Sequence, residues 1–165
     1  MAGLDWFNSL APEEAERELL ACCASHAWAR RVAGGRPYPD IQSLVDTGGA
    51  AVESLPWADV EQALSAHPRI GDRLAGAGRD AVWSRREQAG VAKANDRLLD
   101  ALAEANREYE ERFGHVFLIY ASGNTARGML AAARERLTHD EATEQDVVRG
   151  ELGKITRLRL ERLLA

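Results

Sequence analysis

Apolar residues recur at three- and four-residue steps through Leu98, Leu102, Ala105, Tyr109 and Phe113, the spacing of one helical face. That spacing predicts a helix over 94–113, closed by Gly114. Ala15, Leu19, Leu20, Cys23 and Ala27 follow a Pro12-Glu13-Glu14 start in the same rhythm and predict one long helix over 10–31 with an acidic first turn. Gly34 to Asp40 breaks it, and two short helices are expected near 40–51 and 56–66. Pro68 pushes His67 out of helical geometry and ends the second of these. Three glycines between Arg69 and Asp80 predict a loop with little to bury, placed to stand over a pocket. Val116 to Tyr120 has strong β-propensity, yet it is one short run with no second strand to pair with, so a buried extended connector is expected. Helices over 125–137 and 140–164 complete an all-α chain, read as a single domain over 1–165 with an irregular or orthogonal bundle.

Composition narrows the class. The 165 residues are 45% hydrophobic and 28% charged without a low-complexity tract, as in ordinary globular domains. A formal net charge of -5 and a pI of 5.4 disfavour a nucleic-acid surface, which normally shows a basic patch, and favour small-molecule or protein partners. The two cysteines, Cys22 and Cys23, are neighbours in a stretch read as helical, where adjacent side chains diverge by about 100°, so a disulfide framework is excluded. A buried structural pair is the expectation. No apolar run approaches the roughly 20 residues of a membrane span. The acidic, tryptophan-containing start does not resemble a secretory leader, and Leu163-Leu164-Ala165 is not a peroxisomal tripeptide; cytoplasm is the expected compartment.

Three places could carry chemistry. His67 lies where a helix stops and a glycine-rich loop begins, and imidazole exchanges protons near neutrality; it either serves as an acid-base group or ends the helix by capping carbonyls or pointing into solvent. Ser84-Arg85-Arg86-Glu87 matches a capping box, while a buried Glu87 beside Gln88 would instead present a carboxylate and an amide to a polar ligand. Arg159 falls on one stripe with Val148, Leu152 and Ile155, where a cation snorkels, pairs with an acid, or meets a polar ligand. His26, His115 and His139 show no metal-ligand spacing, and the loop from Gly71 to Gly78 is no phosphate loop, so no metal is expected.

Taken in order, several segments resemble the family of 2-oxo-4-hydroxy-4-carboxy-5-ureidoimidazoline (OHCU) decarboxylases. They are Leu19 to Ser25 with Trp28, His67-Pro68-Arg69-Ile70-Gly71, Ser84-x-x-Glu87-Gln88-Ala89-Gly90, Asn106-x-x-Tyr109-x-x-x-Phe113-Gly114-x-x-Phe117, Ala121-x-Gly123, and Glu151-x-x-Lys154-Ile155-x-x-Leu158-Arg159-Leu160. The resemblance implies an all-helical, cofactor-free homodimer that forms (S)-allantoin in urate degradation, with His67 as proton donor and Glu87 as its catalytic companion. It implies further that Pro68, Ser84, Gln88, Phe117, Ile119, Ala121, Gly123 and Arg159 line the substrate pocket. A helical interaction module that has kept the fold without the reaction, and an enzyme acting on a related ureide or hydantoin, are the alternative expectations.

Overall fold

The computed structural model describes residues 3–71, 79–90 and 95–165. Among them are nine helices and no strand: α1 (Leu4–Ser9), α2 (Pro12–Leu20), α3 (His26–Gly34), α4 (Ile41–Glu53), α5 (Trp57–Leu64), α6 (Arg79–Glu87), α7 (Asp96–Phe113), α8 (Ala126–Arg136) and α9 (Glu141–Leu164). The all-α expectation holds, and the main-chain contacts gather into two compact units. The first comprises residues 1–63 and 149–165, the second 64–148, so α9 begins in the second unit and contributes its later residues to the first.

In the first unit α2 packs on α3 and α3 on α4. Trp28, fully buried, donates its indole N–H to the Gly48 carbonyl at 2.9 Å, which satisfies the one polar atom of a large apolar side chain. The single helix expected over 10–31 is in fact two. α2 stops at Leu20, Cys22 and Cys23 occupy the turn, and the Ser25 hydroxyl accepts from the Trp28 N–H at 3.2 Å to start α3. The apolar rhythm runs through the break because Leu19 before it and Cys22 and Cys23 within it are all buried; the N-capping serine is what restarts the helix. The six residues of α1 are too few to show a period and were not anticipated.

The joint between α3 and α4 is tied back to α1. Asn8 pairs its amide with both main-chain groups of Tyr38 at 3.0 Å, and Arg36 donates to the carbonyls of Phe7, Leu10 and Ala33. Asp40 then caps α4 by accepting from the Ser43 N–H at 2.7 Å.

In the second unit α7 packs on α8 over a core of Leu102, Ala105, Tyr109, Met129, Leu130 and Ala133. Asn95 caps α7 and Gly114, in the left-handed region at φ 78°, terminates it, as the sequence pattern predicts. Among the described residues the segment after Gly114 joins no helix and pairs with no strand, and Phe117, Leu118 and Ile119 are buried, as expected of a buried connector.

Candidate active site

The segment around His67 is fastened at three points. After α5 ends at Leu64, the His67 N–H donates to the Leu64 carbonyl at 3.0 Å, and Pro68 prevents the helix from resuming. Ile70 is buried in the same core as Phe117, Ile119 and Ala121. The Ile70 carbonyl accepts from the Asn106 side-chain amide at 2.9 Å, and the Gly71 N–H donates to the Gln88 side-chain oxygen at 3.0 Å. Gly71 has φ 92°, a conformation that favours glycine. His67 is therefore half-buried on an anchored segment. The remainder of the expected loop, residues 72–78, lies outside the described residues.

The capping-box expectation at Ser84 is corrected. α6 starts at Arg79, so Ser84 lies well inside it, and its carbonyl accepts the Gln88 N–H at 3.0 Å as an ordinary helical residue. A box needs unsatisfied amides at a helix start, and this start is five residues upstream. Trp83, Ser84 and Glu87 share one helical face, and all three are buried. Gln88 spends its side-chain oxygen on Gly71, so its role toward the His67 segment is first of all one of support.

Glu87 borders a cleft of about 510 Å³ whose other walls include Gly90, Leu98, Gly123, Asn124 and Arg127. A Cβ on Gly90 would collide with the Asn124 carbonyl oxygen, so glycine lets the end of α6 lie directly on the turn before α8. Gly123, at φ 75°, forms that turn; the Asn124 N–H closes it on the Ala121 carbonyl at 2.9 Å, and Thr125 caps α8. The structure thus brings Glu87 and Gly123 to one cleft. Phe117, Ile119 and Ala121 give their side chains to the core, which leaves main-chain groups as what these three can offer a ligand.

Arg159 belongs to the first unit, where it is buried on α9. Its positive charge acts on Cys23, whose thiol is nevertheless pushed up to about 12, chiefly by burial, with hydrogen bonds from Ser25 and Thr156 and the Arg159 charge opposing. Arg157 is half-exposed and pairs with Glu53 at 3.0 Å. The buried face of α9 is wider than the stripe expected, since Thr156, Leu160, Leu163 and Leu164 are buried as well.

A buried polar network in the second unit was not foreseen. Glu144, on the first turn of α9, accepts from the Tyr109 hydroxyl at 2.8 Å and from Arg136 Nε at 2.6 Å through Oε1, while Oε2 lies 3.0 Å from His139 Nδ1. Burial raises the Tyr109 hydroxyl above its ordinary value, against the pull of the Arg136 charge. Arg136 Nη1 donates to the Leu118 carbonyl at 2.6 Å. Its guanidinium lies 4.6 Å from the centre of the Phe117 ring. One signal was present in the sequence: Glu144 precedes Val148 by four residues and so extends the Val148–Leu152 stripe backwards. Acidic residues at a helix start usually face water, and that expectation hid it. Among the described residues no three His, Cys, Asp or Glu side chains are grouped to hold a metal ion.

Comparison with known proteins gives a consistent result. The family model for OHCU decarboxylase matches residues 8–161. The chain is 33% identical over 141 residues to the 2-oxo-4-hydroxy-4-carboxy-5-ureidoimidazoline decarboxylase of Amia calva, covering 82% of this chain and 79% of that protein. It is 29% identical over 160 residues to the uric acid degradation bifunctional protein of Arabidopsis thaliana, covering 94% of this chain but about half, 49%, of that longer one. A crystal structure of OHCU decarboxylase in the presence of (S)-allantoin superposes with a TM-score of 0.77 at 30% identity, covering 89% of this chain and 96% of the other. A structure of (S)-allantoin synthase, at 18% identity and a TM-score of 0.74, shares the fold.

Proposed function

The chain belongs to the OHCU decarboxylase family, and from that premise we propose that it converts 2-oxo-4-hydroxy-4-carboxy-5-ureidoimidazoline to (S)-allantoin and carbon dioxide in urate degradation. The match through residues 8–161, which takes in His67, Glu87 and Arg159, carries this reading. In this proposal residues 1–165 form one decarboxylase-like domain. The protein works as a cytoplasmic homodimer without a cofactor; no described helix is long and apolar enough to cross a membrane.

The substrate bears its carboxylate on a ring carbon next to a C=N bond. When the bond to the carboxylate breaks, its electron pair forms a C=C bond to the neighbouring carbon, and the imine pair moves to nitrogen, which takes up a proton. The resulting enol loses its hydroxyl proton while the neighbouring carbon gains one, so substrate carboxylate plus one proton gives allantoin plus carbon dioxide. Because the ring is its own electron sink, the protein has to supply proton transfer, orientation and a shielded cleft. His67, on its anchored segment, donates the proton, and delivery from one face sets the S configuration. Pro68 keeps its segment out of helical form. Glu87, with Ser84 beside it on α6, holds ureido or ring N–H groups at the cleft. Gln88 contributes its side-chain NH₂ group as well as its support of Gly71. Gly123 borders the cleft, Ile119 and Ala121 meet the substrate through their main chain, and Phe117 helps to exclude water. Arg159 meets a ring or ureido carbonyl, where negative charge grows during reaction, because a clamp on the departing carboxylate would favour the ground state.

The intermediate, generated from urate in situ, tests this directly: the protein should accelerate the appearance of optically active allantoin. His67→Ala should lower turnover by about 100-fold or more. Racemic product at the spontaneous rate with the wild-type protein overturns the enzyme reading, and full stereospecific turnover by the His67 variant overturns that residue's role.

A further inference from the structure

Among the described residues the connector between α7 and α8 has no strand partner, and a side chain supplies a donor to its Leu118 carbonyl. Arg136 touches it twice, donating to the Leu118 carbonyl and stacking on Phe117. Arg136 is itself held by Glu144, which is held by Tyr109 of α7. One turn before Tyr109 on the same helix, Asn106 holds the Ile70 carbonyl of the His67 segment. α7 thereby fixes two segments: the one carrying His67 directly, and the connector through the relay Tyr109–Glu144–Arg136. Three residues after Leu118 the connector enters the Ala121–Gly123 turn, whose Gly123 borders the Glu87 cleft.

We propose that Arg136, locked by Glu144 and Tyr109, is a positioning residue for the reaction: it sets the place of the connector and the Gly123 turn relative to the segment that carries His67. The inference rests on the decarboxylase reading above. Arg136 reaches no reacting atom in this role; it acts through Leu118 and Phe117. The flat guanidinium is essential, because one planar group must donate along its edge to a carboxylate and a carbonyl while its face covers a ring. The buried Nη2 makes no hydrogen bond among the described residues, and the rings of Phe117 and Tyr109, 4.6 and 5.7 Å from the guanidinium carbon, flank the group.

The test compares Arg136→Lys with Arg36→Lys, a change of the same kind in the first unit. Turnover and Michaelis constant are measured on folded protein below the unfolding transition, alongside amide hydrogen exchange over residues 117–123. Arg136→Lys should lower kcat/KM by about 10- to 100-fold, the usual consequence of a misplaced site, and speed exchange in the connector. Arg36→Lys should lower thermal stability and leave kcat/KM of the folded protein unchanged. If Arg136→Lys does not fold, Tyr109→Phe removes one support of Glu144 and should give a several-fold loss with the same faster exchange. Wild-type kcat/KM and exchange in the position-136 variant, or in the Tyr109 variant where it stands in, overturn the inference while the decarboxylase reading stands. Failure of the wild-type protein to accelerate the reaction overturns the reading itself and the positioning role with it.

Discussion

Arg36 and Arg136 do the same kind of work in the two units, and they differ in one respect. Each guanidinium closes a non-helical joint by donating to main-chain carbonyls, and each lies over a phenylalanine, Phe7 at 5.5 Å and Phe117 at 4.6 Å. Arg36 is half-buried and, among the described residues, meets carbonyls without a carboxylate. Arg136 is only 5% exposed and is paired with Glu144, itself fully buried. Water still reaches the first guanidinium, whereas the second is removed from water, and its desolvation is offset by a counter-charge and hydrogen bonds. A half-buried arginine can close a joint alone; a buried one brings an ion pair into the core, and with it a more rigid joint.

The largest effect that bears on this contrast is expected from Glu144→Ala. It strands the Arg136 cation and leaves the Tyr109 hydroxyl without its acceptor, and should cost about 3–5 kcal/mol in urea unfolding. Glu144→Gln, which keeps an acceptor oxygen, should cost less. Equal losses for the two variants would mean that charge, not shape or the acceptor oxygen, holds the network. Arg36→Ala removes three hydrogen bonds at a wetter site and should cost about 1–3 kcal/mol. A loss as large as that of Glu144→Ala would break the argument from burial.

The smallest effect concerns the exposed caps, one in each unit. Asp40 and Asp140 accept from the amides of Ser43 and Thr143, and these bonds hold both carboxyls below the ordinary 3.8; the nearby His139 and Arg112 charges add to the effect at Asp140. A depressed folded value means that the stabilisation is complete above the unfolded value and is lost as pH falls through the folded one. The melting-temperature gap between wild-type protein and Asp40→Ala or Asp140→Ala should therefore be full near neutrality and close below about pH 4. A gap that persists at pH 2 would show that the carboxylate charge is not the source.

The site was legible to different degrees. His67 and Pro68 could be placed because a proline ends a helix locally, and the anchored segment agrees. The burial of Glu87 agrees with the sequence pattern, but the Ser84 motif imitates a helix start because the true start, at Arg79, lacks a distinctive pattern. Gln88 was read as a ligand group, and its bond to Gly71, 17 positions away, could not be seen in the chain. Glu144, Arg136 and Tyr109 were passed over because each looks ordinary in its own helix and becomes unusual only where three elements meet.

The sequence by itself determined the helical class, the limits of α7, α8 and α9, and the unpaired connector, because periodicity, caps and glycine stops act within a few residues. Tertiary structure alone decided that the first long helix breaks at Cys22 and Cys23, that α6 begins before Ser84, and that a fully buried carboxylate stands behind the connector. Burial and long-range hydrogen bonding depend on which distant side chains arrive together. A carboxylate is accommodated in this core because an arginine and a tyrosine from other helices are there to bond it.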